Sequence, residues 1–407
     1  MTRRRTLAPG VAPRIVFYTH DGLGLGHFRR TVLVAQALVA RVPTAAPLLV
    51  TGMPAGEGVS LPPELEYVRL PGLDKRHLFT GLPHDKHAPR EVFAVRQAML
   101  SAVLQSFAPH LVLVDHAPAG LAEELQPLLR ARPKHGRAPR FVLGLRDITY
   151  GPKQTRAAWA RADALALMDE VYDEILIYGC REVYDPIRTY GLPKRVARKT
   201  RFTGYLRPTA PLRPPDDVRA ELGAAGGPLV AASVGGGVDG ADVLTALLHA
   251  SAAGLLPEVA LSLVTGPQMP LAEQARLADL AAGLPGVSLA TYRDDYLSHV
   301  AAADVVVTMG GYNSVWEAIG QGQRPIVIPR DTRSDEQQVR AQRLAELGLA
   351  TVLQPHDLTP QQLASAILAE LAAPPPVPPP WLDFTGLEHA ATALAAALAR
   401  STQPARH

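Results

Sequence analysis

Residues 308–317 read Thr-Met-Gly-Gly-Tyr-Asn-Ser-Val-Trp-Glu, and Asp335-Glu336-Gln337-Gln338 follows one strand later. An apolar strand, Asp304 to Met309, runs into Gly310 and Gly311. A helix follows through Tyr312, which Asn313 or Ser314 is placed to cap. Such a start aims free backbone N–H groups and a positive dipole end at whatever lies above the strand, and phosphate suits it. Glu317 lies about one turn inside, within reach of a neighbouring sugar hydroxyl. Glu336, Gln337 and Gln338 follow the strand Pro325 to Pro329 and so open on the same rim. A glutamate in a first turn is also ordinary dipole chemistry, and glutamines are good helix formers. The Gly-Gly-Tyr-Asn-Ser start and the Asp335-Glu336 pair tip both readings toward a nucleotide-sugar.

Three further strand ends belong on this edge. Ser233-Val234-Gly235-Gly236-Gly237 is a second phosphate-compatible loop. Thr265-Gly266 and Tyr292 close two more strands, where Tyr292 or nearby backbone would frame a base; a plain surface turn is the competing reading of each.

The first strand ends in residues 19–30, Thr-His-Asp-Gly-Leu-Gly-Leu-Gly-His-Phe-Arg-Arg, ahead of a helix from about Thr31 to Arg41. The glycines permit close backbone approach, but the spacing is not that of a dinucleotide fingerprint, and no acidic residue ends the second strand. What remains is a glycine loop presenting His27. Histidine takes a proton from a hydroxyl near neutral pH, and the alternative is a loop residue bonded to nearby carbonyls. Gly24, Gly26, Arg29, Arg30 and Asp115 form the candidate acceptor side. His27 and Asp147 are the candidate catalytic pair, because strand-end carboxylates can orient an acceptor or a histidine. His77, His84 and His87 lie in a polar segment that lacks the further ligands a metal needs, so it reads as a loop meeting an acidic acceptor, with a simple solvated loop as the alternative. No Asp-x-Asp pair is placed to hold a metal-bound diphosphate. The expectation is therefore no metal and no cofactor, with backbone amides meeting the leaving charge.

These residues need strands to position them. Arg14 to His20, Pro47 to Thr51, Leu111 to Asp115, Phe141 to Leu145 and Glu174 to Tyr178 read as strands of a first half. Leu229 to Val234, Ala260 to Thr265, Val287 to Tyr292, Asp304 to Met309 and Pro325 to Pro329 read as strands of a second. Most are continuously apolar, as parallel strands covered on both faces are. Strand and helix alternate in each half, which predicts two doubly wound α/β domains. With 407 residues, two domains are the default. The proline-rich Leu206 to Asp217 marks a boundary, giving domains 1–208 and 209–373. A stiff Pro374 to Pro380 linker then leads to a helix near Leu387 to Arg400, expected to pack back on the first domain.

Composition excludes several classes. Hydrophobic residues make up 47% and charged residues 19%, and no window approaches the ~20 apolar residues that span a bilayer. Met1 to Arg14 is basic without an apolar core, so no secretory signal is read. Cys180 is the single cysteine, which excludes an intrachain disulfide and suits a reducing cytoplasm. A net charge of +3 is too weak to argue nucleic acid, though it permits peripheral contact with anionic lipid.

Taken together, the motifs resemble those of GT-B glycosyltransferases of family 28, which include peptidoglycan lipid-intermediate N-acetylglucosaminyltransferases and diacylglycerol sugar transferases. Gly22 to Arg30, Leu143 to Asp147 and Met309 to Ser314 resemble, more narrowly, a group of predicted glycosyltransferases. The resemblance implies two Rossmann-like domains facing across a cleft, an acceptor-binding first domain and a UDP-sugar-binding second domain. By the same resemblance Glu317 meets the ribose, Gln337 and Gln338 meet the donor sugar, Ser233 to Gly237 meets the diphosphate, and His27 is the base. Two departures stand out: the first loop is longer than a compact Gly-Gly-His, and Glu336 replaces a basic residue before the glutamines. The expected reaction is inverting transfer of a hexose, N-acetylglucosamine or similar, to a lipid, glycan or small-molecule hydroxyl. Nucleotide-sugar hydrolases with a similar Gly-x-Gly-His-x-x-Arg loop are the alternative.

Overall fold

Runs of Val, Ile and Leu build strands buried on both faces, as parallel sheets require, and the strand pairings of both sheets are parallel. The computed structural model describes residues 12–19, 26–53, 61–72, 90–131, 138–224, 226–331 and 335–402. The first sheet holds β1 (Arg14–Tyr18), β2 (Ala46–Thr51), β3 (Glu66–Arg69), β4 (Leu111–Asp115), β5 (Arg140–Arg146), β6 (Glu174–Tyr178) and β7 (Thr200–Phe202), in the order β3-β2-β1-β4-β5-β6-β7. The second holds β8 (Leu229–Ser233), β9 (Ala260–Val264), β10 (Val287–Ala290), β11 (Val305–Thr308), β12 (Ile326–Val327) and β13 (Thr351–Val352), in the order β10-β9-β8-β11-β12-β13. Strand order reverses between β1 and β4 and again between β8 and β11. Those reversals open the crevices where ligands of doubly wound sheets gather.

The expected α/β architecture of two doubly wound domains is present. Three strands that the apolar pattern did not signal, β3, β7 and β13, each close one edge of a sheet. β3 reads Glu-Tyr-Val-Arg and is largely exposed, so it carries no continuous apolar run. The first long helix begins at Gly26 rather than near Thr31, which moves His27 from a loop into a helical first turn.

The terminal helix, Gly386–Thr402, packs against the Gly26–Arg41 helix of the first domain. Its lead-in runs beside the domain linker: Tyr205 N donates to Asp383 O at 2.8 Å, Gly386 N donates to Tyr205 O at 3.2 Å, and Leu206 bridges Thr385 antiparallel. One apolar cluster contains Phe28 and Tyr205 of the first domain, Tyr312 and Trp316 of the second, and Leu387 and Leu394 of the terminal helix. Tyr205 stacks on Trp316 with ring centroids 3.4 Å apart. The domains are joined through buried apolar area as well as through chain.

Candidate active site

At the first crevice, β1 hands the chain toward the Gly26–Arg41 helix and β4 ends beside it at Asp115. His27 Nδ1 lies 2.6 Å from Asp115 Oδ2. Arg30, one turn on, bonds Asp115 from Nε at 3.0 Å and from Nη2 at 2.8 and 2.7 Å. Nδ1 has two neighbours, the Asp115 carboxylate at 2.6 Å and Arg30 Nη2 at 2.9 Å. The nearer, acceptor-only carboxylate favours the tautomer protonated at Nδ1, which puts the lone pair on Nε2. Arg30 is buried, and its guanidinium also lies over the Tyr178 and Tyr312 rings at 5.9 and 5.5 Å. Burial works against its charge, but Asp115 outweighs that and holds the guanidinium above its ordinary pKa. His116 packs its ring 4.9 Å from His27, centroid to centroid.

These placements differ from the acceptor-side expectation. Arg30 and Asp115 turn inward to hold His27, leaving little surface for a substrate. Asp147 is wholly buried, accepting from Tyr205 Oη at 2.6 Å and from Ile148 N at 2.8 Å, and burial raises its carboxyl above the usual range. It does not touch His27; Asp115 does. Gly24 and the His77, His84 and His87 segment lie outside the described residues.

The second crevice is built from backbone. Ser233 of β8 pairs in register with Thr308 of β11, so both glycine turns leave the sheet at one level. Gly235, Gly237, Gly266 and Gly310 take φ of 70°, 87°, 85° and 79°, the left-handed region that side chains resist. A Cβ on Gly266 would meet Gly235 O at 2.3 Å, so the Thr265-Gly266 turn presses directly on the Gly235–Gly237 loop. Among the described residues nothing lies within 4 Å of a Cβ on Gly235. The helix Tyr312–Gly320 is capped by Gly311 without any side-chain hydrogen bond. Neither Asn313 nor Ser314 is the cap. Both sit inside the first turn, Asn313 Nδ2 donating to Gly26 O at 3.1 Å and Ser314 Oγ donating to Gly311 O at 3.2 Å. Among the described residues no side chain accepts from the first-turn amides, a setting for an anion.

Other rim residues are engaged by the protein. Met309 lies in the second domain's core, and Tyr312 is buried with its hydroxyl donating to Tyr178 O at 3.0 Å. Glu336 receives Arg146 of the first domain at 2.6 Å and Arg340 at 2.7 Å. Burial would raise the Glu336 carboxyl, but the two arginines outweigh it and leave it below its ordinary value. Gln337 accepts from Arg330 N at 3.0 Å, and Gln338 donates to Gln354 at 3.0 Å. Asp335 accepts from Gly151 N at 2.7 Å across the boundary. Arg340 donates to Gly310 O at 2.8 Å, fixing the glycine turn from below. Tyr292 is 40% exposed at the rim. Glu317 is buried, and Arg29 reaches it from the first domain at 3.1 Å. Arg29–Glu317 and Asn313–Gly26 place the His27 turn directly against the bare helix start.

Among the described residues no helix is long and apolar enough to cross a membrane, and no group of three His, Cys, Asp or Glu could hold a metal.

Residues 231–376 match the glycosyltransferase family 28 C-terminal domain. The UDP-N-acetylglucosamine–N-acetylmuramyl-(pentapeptide) pyrophosphoryl-undecaprenol N-acetylglucosamine transferase of Rubrobacter xylanophilus is 33% identical over 89 residues, 22% of this chain and 26% of that one. The Methylorubrum populi protein of the same name is 29% identical over 148 residues, 34% of this chain and 38% of that one. The chain thus spans well under two thirds of the curated relatives it matches. Arabidopsis thaliana UGT89C1, solved with UDP, superposes with a TM-score of 0.62 at 14% identity over 96% of this chain and all 100% of that one. The glycosyltransferase SnogD from Streptomyces nogalater gives 0.56 at 20% identity, covering 95% and 100%. At these identities the structural likeness establishes the fold, which is GT-B.

Proposed function

We infer that this chain, a GT-B protein whose C-terminal domain is that of glycosyltransferase family 28, transfers a sugar from a UDP-sugar to an acceptor hydroxyl. One observation carries the reading: a His27–Asp115 pair stands against a helix start whose amides meet no side-chain acceptor among the described residues. The acceptor O–H donates to His27 Nε2 while Asp115 holds Nδ1 and stabilises the imidazolium that forms. The acceptor oxygen attacks the anomeric carbon, the bond to the diphosphate oxygen breaks, and the electron pair leaves with the nucleoside diphosphate. Attack comes from the face opposite the leaving group and inverts the anomeric centre. Amides at the start of the Tyr312–Gly320 helix and in the Gly235–Gly237 loop meet the departing charge, so the step needs no cation. Glu317 receives the ribose, and Gln337 and Gln338 turn to the sugar once the donor is seated.

The names of the relatives support N-acetylglucosamine as the sugar and a pyrophosphoryl-undecaprenol-linked acceptor, which we place against the first domain. The test is to incubate purified protein with UDP-N-acetylglucosamine and EDTA, with and without a lipid extract. UDP release accelerated by the extract is expected. Equally rapid release of free sugar without it would assign the reaction to water, and EDTA-abolished turnover would remove the cation-free mechanism.

A further inference from the structure

Arg29 lies two residues beyond His27 in the same first helical turn. Its Nη1 and Nη2 stand 3.2 and 3.1 Å from Oε2 and Oε1 of Glu317, one donor to each carboxylate oxygen. A vicinal diol presents a carboxylate with the same arrangement, two O–H donors on two oxygens. The two partners are unequal: the Glu317 side chain is 6% exposed and the Arg29 side chain 39%. The carboxylate is therefore held in the interior, and the guanidinium at the solvent edge is the one with room to leave. Among the described residues no other side chain hydrogen-bonds Glu317. The buried Tyr296 hydroxyl lies close enough to be affected by its charge but makes no hydrogen bond.

We propose that Arg29 is a stand-in for the ribose diol of the donor, holding Glu317 ready in the nucleotide-free protein and yielding its place when nucleotide binds. This rests on Glu317 being the ribose site of the proposed transferase. Breaking the pair releases one of the two hydrogen-bonded links among the described residues, with Asn313–Gly26, that tie the His27 turn to the donor helix. Donor arrival is thereby communicated to the turn that meets the acceptor. The pair also lowers apparent affinity, since nucleotide binds only the fraction of molecules in which it is open.

Calorimetry at pH 8 with UDP and with 2′,3′-dideoxy-UDP, on the wild type, Arg29→Ala and Glu317→Gln, tests this. Arg29→Ala is expected to bind UDP about tenfold tighter and dideoxy-UDP unchanged, because a ligand without the diol leaves the pair in place. A crystal with UDP is expected to show the diol on Glu317 and Arg29 withdrawn. UDP binding that is equal or weaker in a folded Arg29→Ala protein, or UDP seated with the pair intact, overturns the stand-in. If neither Glu317→Gln nor loss of the diol changes affinity, the ribose reading itself fails, whatever Arg29 does.

Discussion

The crevice between β1 and β4 and the crevice between β8 and β11 occupy the same place in the same topology, yet they are made of different material. The first is filled with side chains that hold one another: His27 and Arg30 both bond the Asp115 carboxylate. The second is stripped to backbone, with glycines at positive φ and a helix start capped by Gly311 alone. A proton acceptor needs an orienting partner, whereas a diphosphate needs many weak donors and space. One scaffold supplies both by changing what sits at the strand ends.

The sharpest way to break this comparison is to remove the histidine. His27→Ala should lower kcat by about 10²- to 10⁴-fold while UDP affinity by calorimetry stays within about twofold. Turnover close to wild type would show that the first crevice is not where proton transfer occurs. Asp115→Asn should follow at about 10²-fold, since it frees the imidazole to take the other tautomer. On the other side, Gly310→Ala forces a Cβ into a left-handed position and to 3.0 Å from Val327. UDP binding should weaken by about tenfold or more, the cost of a strained backbone of 1–3 kcal/mol. Unchanged affinity would mean that the cradle is not backbone after all.

The smallest effect concerns the bonds that hold the two crevices together. The Glu336 carboxyl lies below its ordinary value of 4.5 because Arg146 and Arg340 outweigh the cost of its burial. A carboxyl lowered on folding contributes stability above that ordinary value and loses it as pH falls through the folded one. Melting temperature should therefore separate wild type from Glu336→Gln most at neutral pH, and the two curves should converge as pH falls through the lowered folded-state value. A gap that persists in acid would assign the effect to packing rather than to charge.

The central strands and the glycine-rich rim were legible because each is a local pattern: a continuous apolar run, or a run that stops at paired glycines. Edge strands such as Glu66–Arg69 were not, since an exposed strand needs no apolar signature. The site divided along the same line. The Gly310-Gly311 start announced itself, whereas the His27–Asp115 pair joins residues 88 apart and Arg146–Glu336 joins residues 190 apart. Asp147 looked equivalent to Asp115 because both close a strand. The deciding signal was strand order: in a sheet that reverses at β1, the strand laid beside it is β4, and Asp115 is its last residue. The capping expectation failed because a polar residue near a helix start reads alike at the cap and inside the first turn.

The Tyr205–Trp316 stack has an optical consequence. Trp316 is one of three tryptophans, buried, and its partner ring belongs to the opposite domain. A rotation that opens the cleft must slide one ring across the other and change the polarity around the indole. Intrinsic emission, with Trp159 and Trp381 replaced by phenylalanine, thus becomes a clock for opening and closing that requires no attached dye.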